Sequence, residues 1–523
     1  MKFKTPKIAF IILFAAVALF AGCSRSASDE TPDNQSKLNL RIATSYKIQN
    51  LDPLKSAHYF LVEYGTAELP LMLDNDFNLK PWVLESYVQI DALNWCLLLR
   101  PNVKSQNGKP LDARALAAAM NRQLERSPST RAIISDATVK AVNELELILT
   151  TKNPDPNVPA ALADEDVFPI YDTEAVEAAG DDRAKLLKSG AYTGAYKIFS
   201  LDDREMKLEP NANYWRGQPL LRSVTVKFVP DAQARILAVQ NDEADVALYV
   251  PTESKRILVN QQNAFFVTSE RSGGGPRVVF NVRRPPFDDV AVRRAFSLGI
   301  NYGQLAENVM DGVFDRATGF YSPSFAWAVQ NQKTDLDAAK KSLDEADWNL
   351  NSDGLRYKNN QPLTVVFLVY PQQPDWTTLA TAIQAQLREI GFNIKIRQVD
   401  DINQAMKTSP DWSAAINSPG ILSSGGAPDP SLREHFAIAG ERNFGKINDA
   451  ELDKLIEELS RTFEAAKRTD LLRRIQQIII EEQAYEVRPV FVRSRVVVGE
   501  RYRDYKPSPQ LRYVAYDTKP ADN

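Results

Sequence analysis

Val278-Val279-Phe280-Asn281-Val282-Arg283-Arg284-Pro285-Pro286-Phe287-Asp288-Asp289-Val290-Ala291-Val292-Arg293-Arg294-Ala295-Phe296 is the stretch on which the fold turns. Val278 to Val282 is rich in β-branched and aromatic side chains, which suit a pleated, buried strand. The Pro-Pro pair ends it. Asp288-Asp289 then offers a carboxylate to free backbone N–H groups, a helix start, and Val292 and Phe296 lie four apart on one face of the helix that comes next. Outward from this strand–turn–helix unit the same grammar recurs. Leu38–Ser45, Trp95–Arg100, Val224–Val229, Phe392–Val399 and Val490–Val498 read as strands, with Trp95–Arg100 a buried one and Val490–Val498 the last strong one. Leu111–Leu124 (apolar at Leu116, Met120 and Leu124), the run opened by Pro230 with Asp231 as cap, Trp376–Ile390 closed by Gly391, Leu452–Phe463 and Thr469–Ala484 read as helices. Alternation of this kind predicts an α/β protein. At 523 residues the chain implies more than one lobe. No repeat or low-complexity linker divides the body.

The N-terminus predicts export. Lys2, Lys4 and Lys7 precede the apolar run Ile8–Phe20, then small Ala21 and Gly22, then Cys23. This is the charged, apolar, small-residue order of a secretory signal, residues 1–22. The run is short of the roughly 20 residues a bilayer span needs. Cys23 directly after Ala-Gly resembles the bacterial lipoprotein box, with Phe20 where Leu is usual, which implies a lipid-modified Cys23. Acyl chains there would anchor the chain to a membrane at about 0.8 kcal/mol per buried CH2. Residues 23–37 then read as a lipidated flexible tether, since Ser24–Ser36 has no large apolar residue to bury. Only Cys96 remains, so no intrachain disulfide forms. Within Trp95-Cys96-Leu97-Leu98-Leu99 it is expected to be a buried, inert thiol. The charge balance is slightly acidic, −4, and no basic block points to nucleic acid.

Catalytic constellations are thin. His58 and His435 are the two histidines, and neither sits in an HExxH-type spacing. No nucleophile elbow, P-loop or dinucleotide fingerprint occurs. Ser272-Gly273-Gly274-Gly275-Pro276 lacks the Lys-Ser/Thr of a phosphate loop and reads as a bent connection between lobes. Asn349, Asn351, Asp353 and Gly354 have calcium-loop spacing, but Asn360 stands where the bidentate acid belongs, so a hairpin turn is expected before Leu355. No catalytic residue, metal or cofactor is assigned, and the expected protein is not an enzyme.

Five blocks in order resemble the extracytoplasmic solute-binding proteins of the oligopeptide, dipeptide and nickel ABC-importer family (family 5). They are Asn50–Pro53; Leu79–Tyr87 with Trp95–Arg100, Asn102–Lys104 and Asn107–Leu111; Thr193–Ile198 with Asn211–Trp215; Pro230–Asp245; and Phe280–Ala295. Their order and spacing hold from about Arg41 to Pro507. The resemblance implies a type II periplasmic-binding-protein fold with two lobes, hinge crossings and an extra domain. Transferred by segment, lobe I is residues 38–63, 194–272 and 495–516. The extra domain is 64–193 and lobe II is 273–494. Crossings fall near Gly273–Gly275 and Ser494. It also implies a monomer that captures a peptide or related small solute between the lobes and presents it to an ABC permease. By family position the ligand contacts are Thr44, Ser45, Tyr46, Tyr249, Val250, Asn281 and the loop Asn417–Asp429, within which Ser423, Ser424 and Asp429 are singled out. Peptide-binding members place an aspartate in that loop to pair with the ligand's α-amino group. Here Ser424 or a neighbour falls at its place, and Asp429 reads as holding the turn. Nickel-binding members use a cleft histidine, a role the sequence does not assign to His435. The departure at Ser424 leaves a second reading, a surface-anchored interaction or chaperone-like protein reusing the fold.

Overall fold

A computed structural model describes residues 38–48, 50–55, 59–134, 136–418 and 427–522. The signal, Cys23, the tether, His58, Ser423 and Ser424 lie outside the described residues. Three sheets carry the chain. The largest has seven strands in the spatial order 264–268, 495–499, 246–248, 39–44, 223–228, 205–210 and 196–201. Its first strand in sequence, Asn39–Thr44, lies parallel to two neighbours, with Asn39 opposite Ser223 and Ile42 opposite Val246. That strand is covered on both faces. Leu40 and Ile42 join one core, and Ala43 packs with Ile236 and Val239 of the helix Ala232–Gln240. Asp231 caps this helix through Ala234 N (2.7 Å).

Residues 84–151 build an antiparallel sheet of four strands, covered on one face by the helix Ala113–Arg126. Leu116, Met120 and Leu124 pack there against Leu97, Leu99, Leu147 and Leu149. The other face is open. The strand Asn94–Leu99 therefore alternates, with Trp95, Leu97 and Leu99 buried, rather than being buried throughout. Cys96 points to the open face, half-buried against Glu146 (Sγ–Oε1 3.3 Å), which corrects the expectation of a buried thiol. Partial burial, then that carboxylate, raises its pKa above the ordinary thiol value.

The opening stretch lies in the third sheet, whose order is 393–398, 364–369, 414–417, 277–280 and 486–487. After the strand, a turn with a cis Pro285–Pro286 bond brings Phe287 onto Phe280, ring centroids 4.3 Å apart. Asp289 accepts from Ala291 N (2.8 Å) and opens the helix Val290–Leu298, which sets Phe296 edge-on to both rings. The helix Pro374–Arg388 closes at Gly391, whose φ of +98° is open to glycine without penalty. Asn349–Leu350 and Arg356–Lys358 pair as the expected hairpin.

Val490–Val498 is not one strand. Val490–Phe491 pairs with Asp315–Arg316, whereas Arg495–Gly499 enters the seven-stranded sheet. Between them the chain passes from one body to the other beside Ser269–Gly275, which makes the same passage. The two crossings bond to each other: Ser269 N to Ser494 O (2.8 Å), Gly273 N to Val492 O (3.2 Å) and Val492 N to Gly274 O (2.8 Å). Gly275 lies so close to the partner crossing that a Cβ there would sit 2.2 Å from Val490 O.

Candidate functional site

The parallel strands Asn39–Thr44 and Val246–Leu248 end side by side, and residues just past both ends line a cavity of about 1080 Å3. Open α/β sheets bind ligands outside such carboxyl ends. Tyr46 stands after the first strand and Tyr249 after the second. Their rings meet edge to face at 4.7 Å, and Tyr249 meets Tyr513 at 6.3 Å. Tyr249 adopts φ +53°, a left-handed conformation that costs a bulky residue roughly 1–2 kcal/mol. Arg235, buried on the helix behind, holds it there. Its guanidinium donates to the carbonyls of Val229 (2.7 Å), Pro230 (2.8 Å), Leu248 (2.9 Å) and Tyr249 (2.7 Å), tying together the ends of both outer strands. Burial lowers its pKa, yet four carbonyl dipoles remain its partners.

Of the other residues expected at the ligand, Ser45 is half-buried at the same strand end but does not line the cavity. Thr44, Val250, Asn281, Asn417 and Asp429 are buried behind the walls. Val250 packs in the core and its carbonyl accepts from Arg495 Nε (2.8 Å). Asn281 reaches Trp412 O (3.4 Å) and Asn417 accepts from Arg277 Nε (3.1 Å). Asp429, fully buried, accepts from Arg468 Nη2 (2.8 Å), which also reaches Asn157 of the four-stranded body (3.3 Å). None of these five lines the cavity.

The cavity has walls that no motif announced. One is the short helix Phe60–Glu63 with Tyr59, joined by Ala163–Asp166, by Pro128, Ser129, Ala132 and Ile133, and by the C-terminal run Pro509–Arg512. The other is the helix Asp429–Phe436 and the turn to Arg442. The first wall is acidic. Glu63 is 1% exposed, and its Oε2 has no hydrogen-bond partner among the described residues. Burial, then Glu165 and Asp166, pushes its carboxyl well above the carboxylate range. Glu165 is half-exposed at the cleft surface but deeply surrounded. Burial, then Asp166 and Asp164, pushes it up to about 8 against the opposing pull of Arg512. Tyr59 is pushed up to about 12 by burial, then by Glu63.

The second wall mixes both signs. It presents Arg433 and Arg442 with Glu434 and Glu441, and Arg442 pairs with Glu434 (3.1 Å). His435 lies just beneath, beside Arg277 Nη2 (2.9 Å from Nδ1), and burial followed by Arg277 holds it neutral, down to about 2. Arg277 also reaches Glu486 (3.3 Å), which forms an ion pair with Arg488 (2.8 Å). With Arg277, Arg442 and Arg488 around it, the imidazole is set against acquiring a cation. Among the described residues no group of three or more His, Cys, Asp or Glu is placed to hold a metal ion.

The sequence profile of the bacterial extracellular solute-binding proteins, family 5 middle, matches residues 78–438. The chain is 23% identical to the nickel-binding protein NikA of Staphylococcus aureus over 518 residues, 98% of each chain. It is 27% identical to the glutathione-binding protein GsiB of Salmonella paratyphi A, over 79% of this chain and 81% of that one. The oligopeptide-binding protein AppA of Bacillus subtilis, solved with a nonapeptide, superposes with a TM-score of 0.71 at 21% identity, covering 92% of this chain and 99% of that one.

Proposed function

This chain belongs to the bacterial extracellular solute-binding proteins of family 5, and from that premise we propose that it is the substrate-binding component of an ABC importer, capturing a peptide or related small dipolar solute between two lobes. The fold is the type II arrangement. We take residues 38–63, 194–272 and 495–516 as one lobe, 273–494 as the other, 64–193 as the extra domain, and the paired crossings as the hinge. Closure over ligand would give the permease one state to recognise. The observation that carries the reading is the mixed charge of the cavity lining: Glu63 and residues 164–166 with Arg512 on one wall, Arg433 and Arg442 with Glu434 and Glu441 on the other, and Tyr46 and Tyr249 beside them. A dipolar solute can use both signs of charge, whereas a simple anion or cation uses one. Backbone groups and bound water tolerate varied side chains. A single chain suffices for this role. Cys23 would carry the lipid that keeps it at the membrane, on the extracytoplasmic side.

The test is thermal melting of the protein with a pool of tri- to pentapeptides, with glutathione, and with nickel plus L-histidine. A ligand at a hundred times its Kd stabilises by about 2.7 kcal/mol, so a clear rise with the peptide pool is expected. A rise confined to nickel–histidine would replace peptides with a metal chelate. No rise with any of them counts against solute capture.

A further inference from the structure

Glu63 is a buried carboxyl group whose Oε2 has no hydrogen-bond partner among the described residues, and it lines the cavity. Such a group is costly wherever it stands, and proteins keep one mainly where something arrives to pair with it. Its surroundings say what arrives. Tyr59, Tyr64, Tyr249 and Tyr513 all lie within its electrostatic reach. The rings of Tyr64 and Tyr513 are 5.7 Å apart, and those of Tyr249 and Tyr513 meet edge to face. Across the cavity floor Glu165 adds a second carboxylate, flanked by Asp164 and Asp166. Arg512, the cation whose field reaches Glu165, does not neutralise the pair by contact: it donates to Leu73 O and stacks over Trp82 at 5.6 Å. Carboxylate plus aromatic faces is the chemistry that holds organic ammonium groups. A divalent metal ion would ask instead for several oxygens converging at short range.

We propose that Glu63 and Glu165, with Tyr59 and Tyr249, form an ammonium-binding subsite on the helix wall of the cleft, which takes the protonated amine of the captured solute. This rests on the solute-binding reading and adds to it the direction of the ligand. The amine end enters beneath Tyr46 and Tyr249. Both carboxyls are protonated more readily than free ones, so pairing with an ammonium expels a proton. Affinity for methylammonium, whose amine stays charged, therefore rises as pH climbs toward about 8; among the described residues the charged and titratable groups facing the pair are Asp164, Asp166, Arg512, Tyr59, Tyr64, Tyr249 and Tyr513.

The experiment compares trialanine, N-acetyl-trialanine and methylammonium (against sodium at equal ionic strength) on the wild-type protein, Glu63→Gln and Glu165→Gln, by calorimetry and melting. The amide of Glu63→Gln mimics the protonated acid, so folding is retained, and Glu165→Gln provides an independent variant should it not be. Acetylation and Glu63→Gln should each weaken trialanine about ten- to a hundredfold, the worth of one charge-assisted bond, and their effects should not add. Methylammonium should raise the melting temperature of the wild type but of neither variant. If trialanine fails to bind while methylammonium stabilises, the subsite stands and the peptide reading falls. Equal binding of the acetylated peptide, or a methylammonium response unchanged in both variants, overturns the subsite and leaves the solute-binding reading intact. A shift with calcium or nickel ions in place of methylammonium also overturns it.

Discussion

Gly275→Ala puts the hinge geometry to the test most directly. The added Cβ would lie 2.2 Å from Val490 O and 3.4 Å from Phe491 Cα, both backbone, so no side chain can swing aside. Relief requires the two crossings to part by about 1 Å, and packed backbone gives little of that for free. The parting strains the two bonds nearest the site, Val492 N to Gly274 O (2.8 Å) and Gly273 N to Val492 O (3.2 Å). Each is worth about 1 kcal/mol and overpacking adds about 1–3, so the loss should be about 3–5 kcal/mol. Urea unfolding monitored by tryptophan fluorescence reads this as a lower midpoint with an unchanged slope. Gly303→Ala is the control. Its nearest atom would be 3.5 Å away, so it should stay within about 0.5 kcal/mol of wild type. If Gly275→Ala behaves like that control, the crossings do not touch as described, and a hinge built from their mutual bonds is refuted.

Three further outcomes rest on named contacts and one on the N-terminus. Arg277→Ala removes a cation 2% exposed from Glu486, which is equally buried, and should cost about 3–5 kcal/mol in the same urea assay; a smaller loss would mean Arg488 alone satisfies that acid. Two pH effects oppose each other. His435 is held neutral in the fold but takes a proton near pH 6.5 when unfolded, so its contribution is present above that pH and lost on acidification, and His435→Gln should flatten the acid limb of the melting profile. Glu165 has the reverse sign. Its folded pKa is raised, so stability drains as pH climbs from about 4.5 to about 8, and Glu165→Gln should gain most over wild type at pH 8. Finally, Cys23→Ser should release the expressed protein from the membrane fraction and abolish incorporation of labelled palmitate; unchanged fractionation would remove the lipid anchor from the proposal.

The local grammar of the chain was legible because it depends on neighbours in sequence. Asp231 and Asp289 cap the helices they precede, and Gly391 ends the helix before it. The bend at Ser272–Pro276 could be read from glycine alone. Val490–Val498 could not be divided by such means, since nothing in its β-branched pattern marks a break. Its change of partner at Val492–Ser494 is imposed by Gly273, Gly274 and Ser269, more than two hundred positions earlier. Cys96 misled for a related reason: an apolar run does not disclose that one of its faces is left open. Tyr46 and Tyr249 were expected at the cleft because each follows a strand, and both line the cavity. Arg235 was missed because its partners are carbonyls, which carry no residue-type signature. Glu63 and Glu165 were missed because neither sits in a motif and their convergence across a hundred residues is tertiary.

The missing acid near Ser424 and the unpaired acid at Glu63 belong to one argument. A peptide's ammonium brought into a cleft without a counter-charge forfeits a bond worth about 1.5–3 kcal/mol, enough to make free peptides poor ligands. Read from the loop alone, that loss argues for a degraded cleft. The proposed subsite would restore that charge at Glu63, whose Oε2 has no hydrogen-bond partner among the described residues. A solute held there by its amine would turn its acidic end toward Arg433 and Arg442, which line the cavity beside Glu434 and Glu441. A binding protein can change which end of a dipolar solute it holds by exchanging charges between walls, with strands, hinge and permease-facing surfaces left as they were. The same fold therefore serves chelates, tripeptides and longer peptides in its relatives without rebuilding its core.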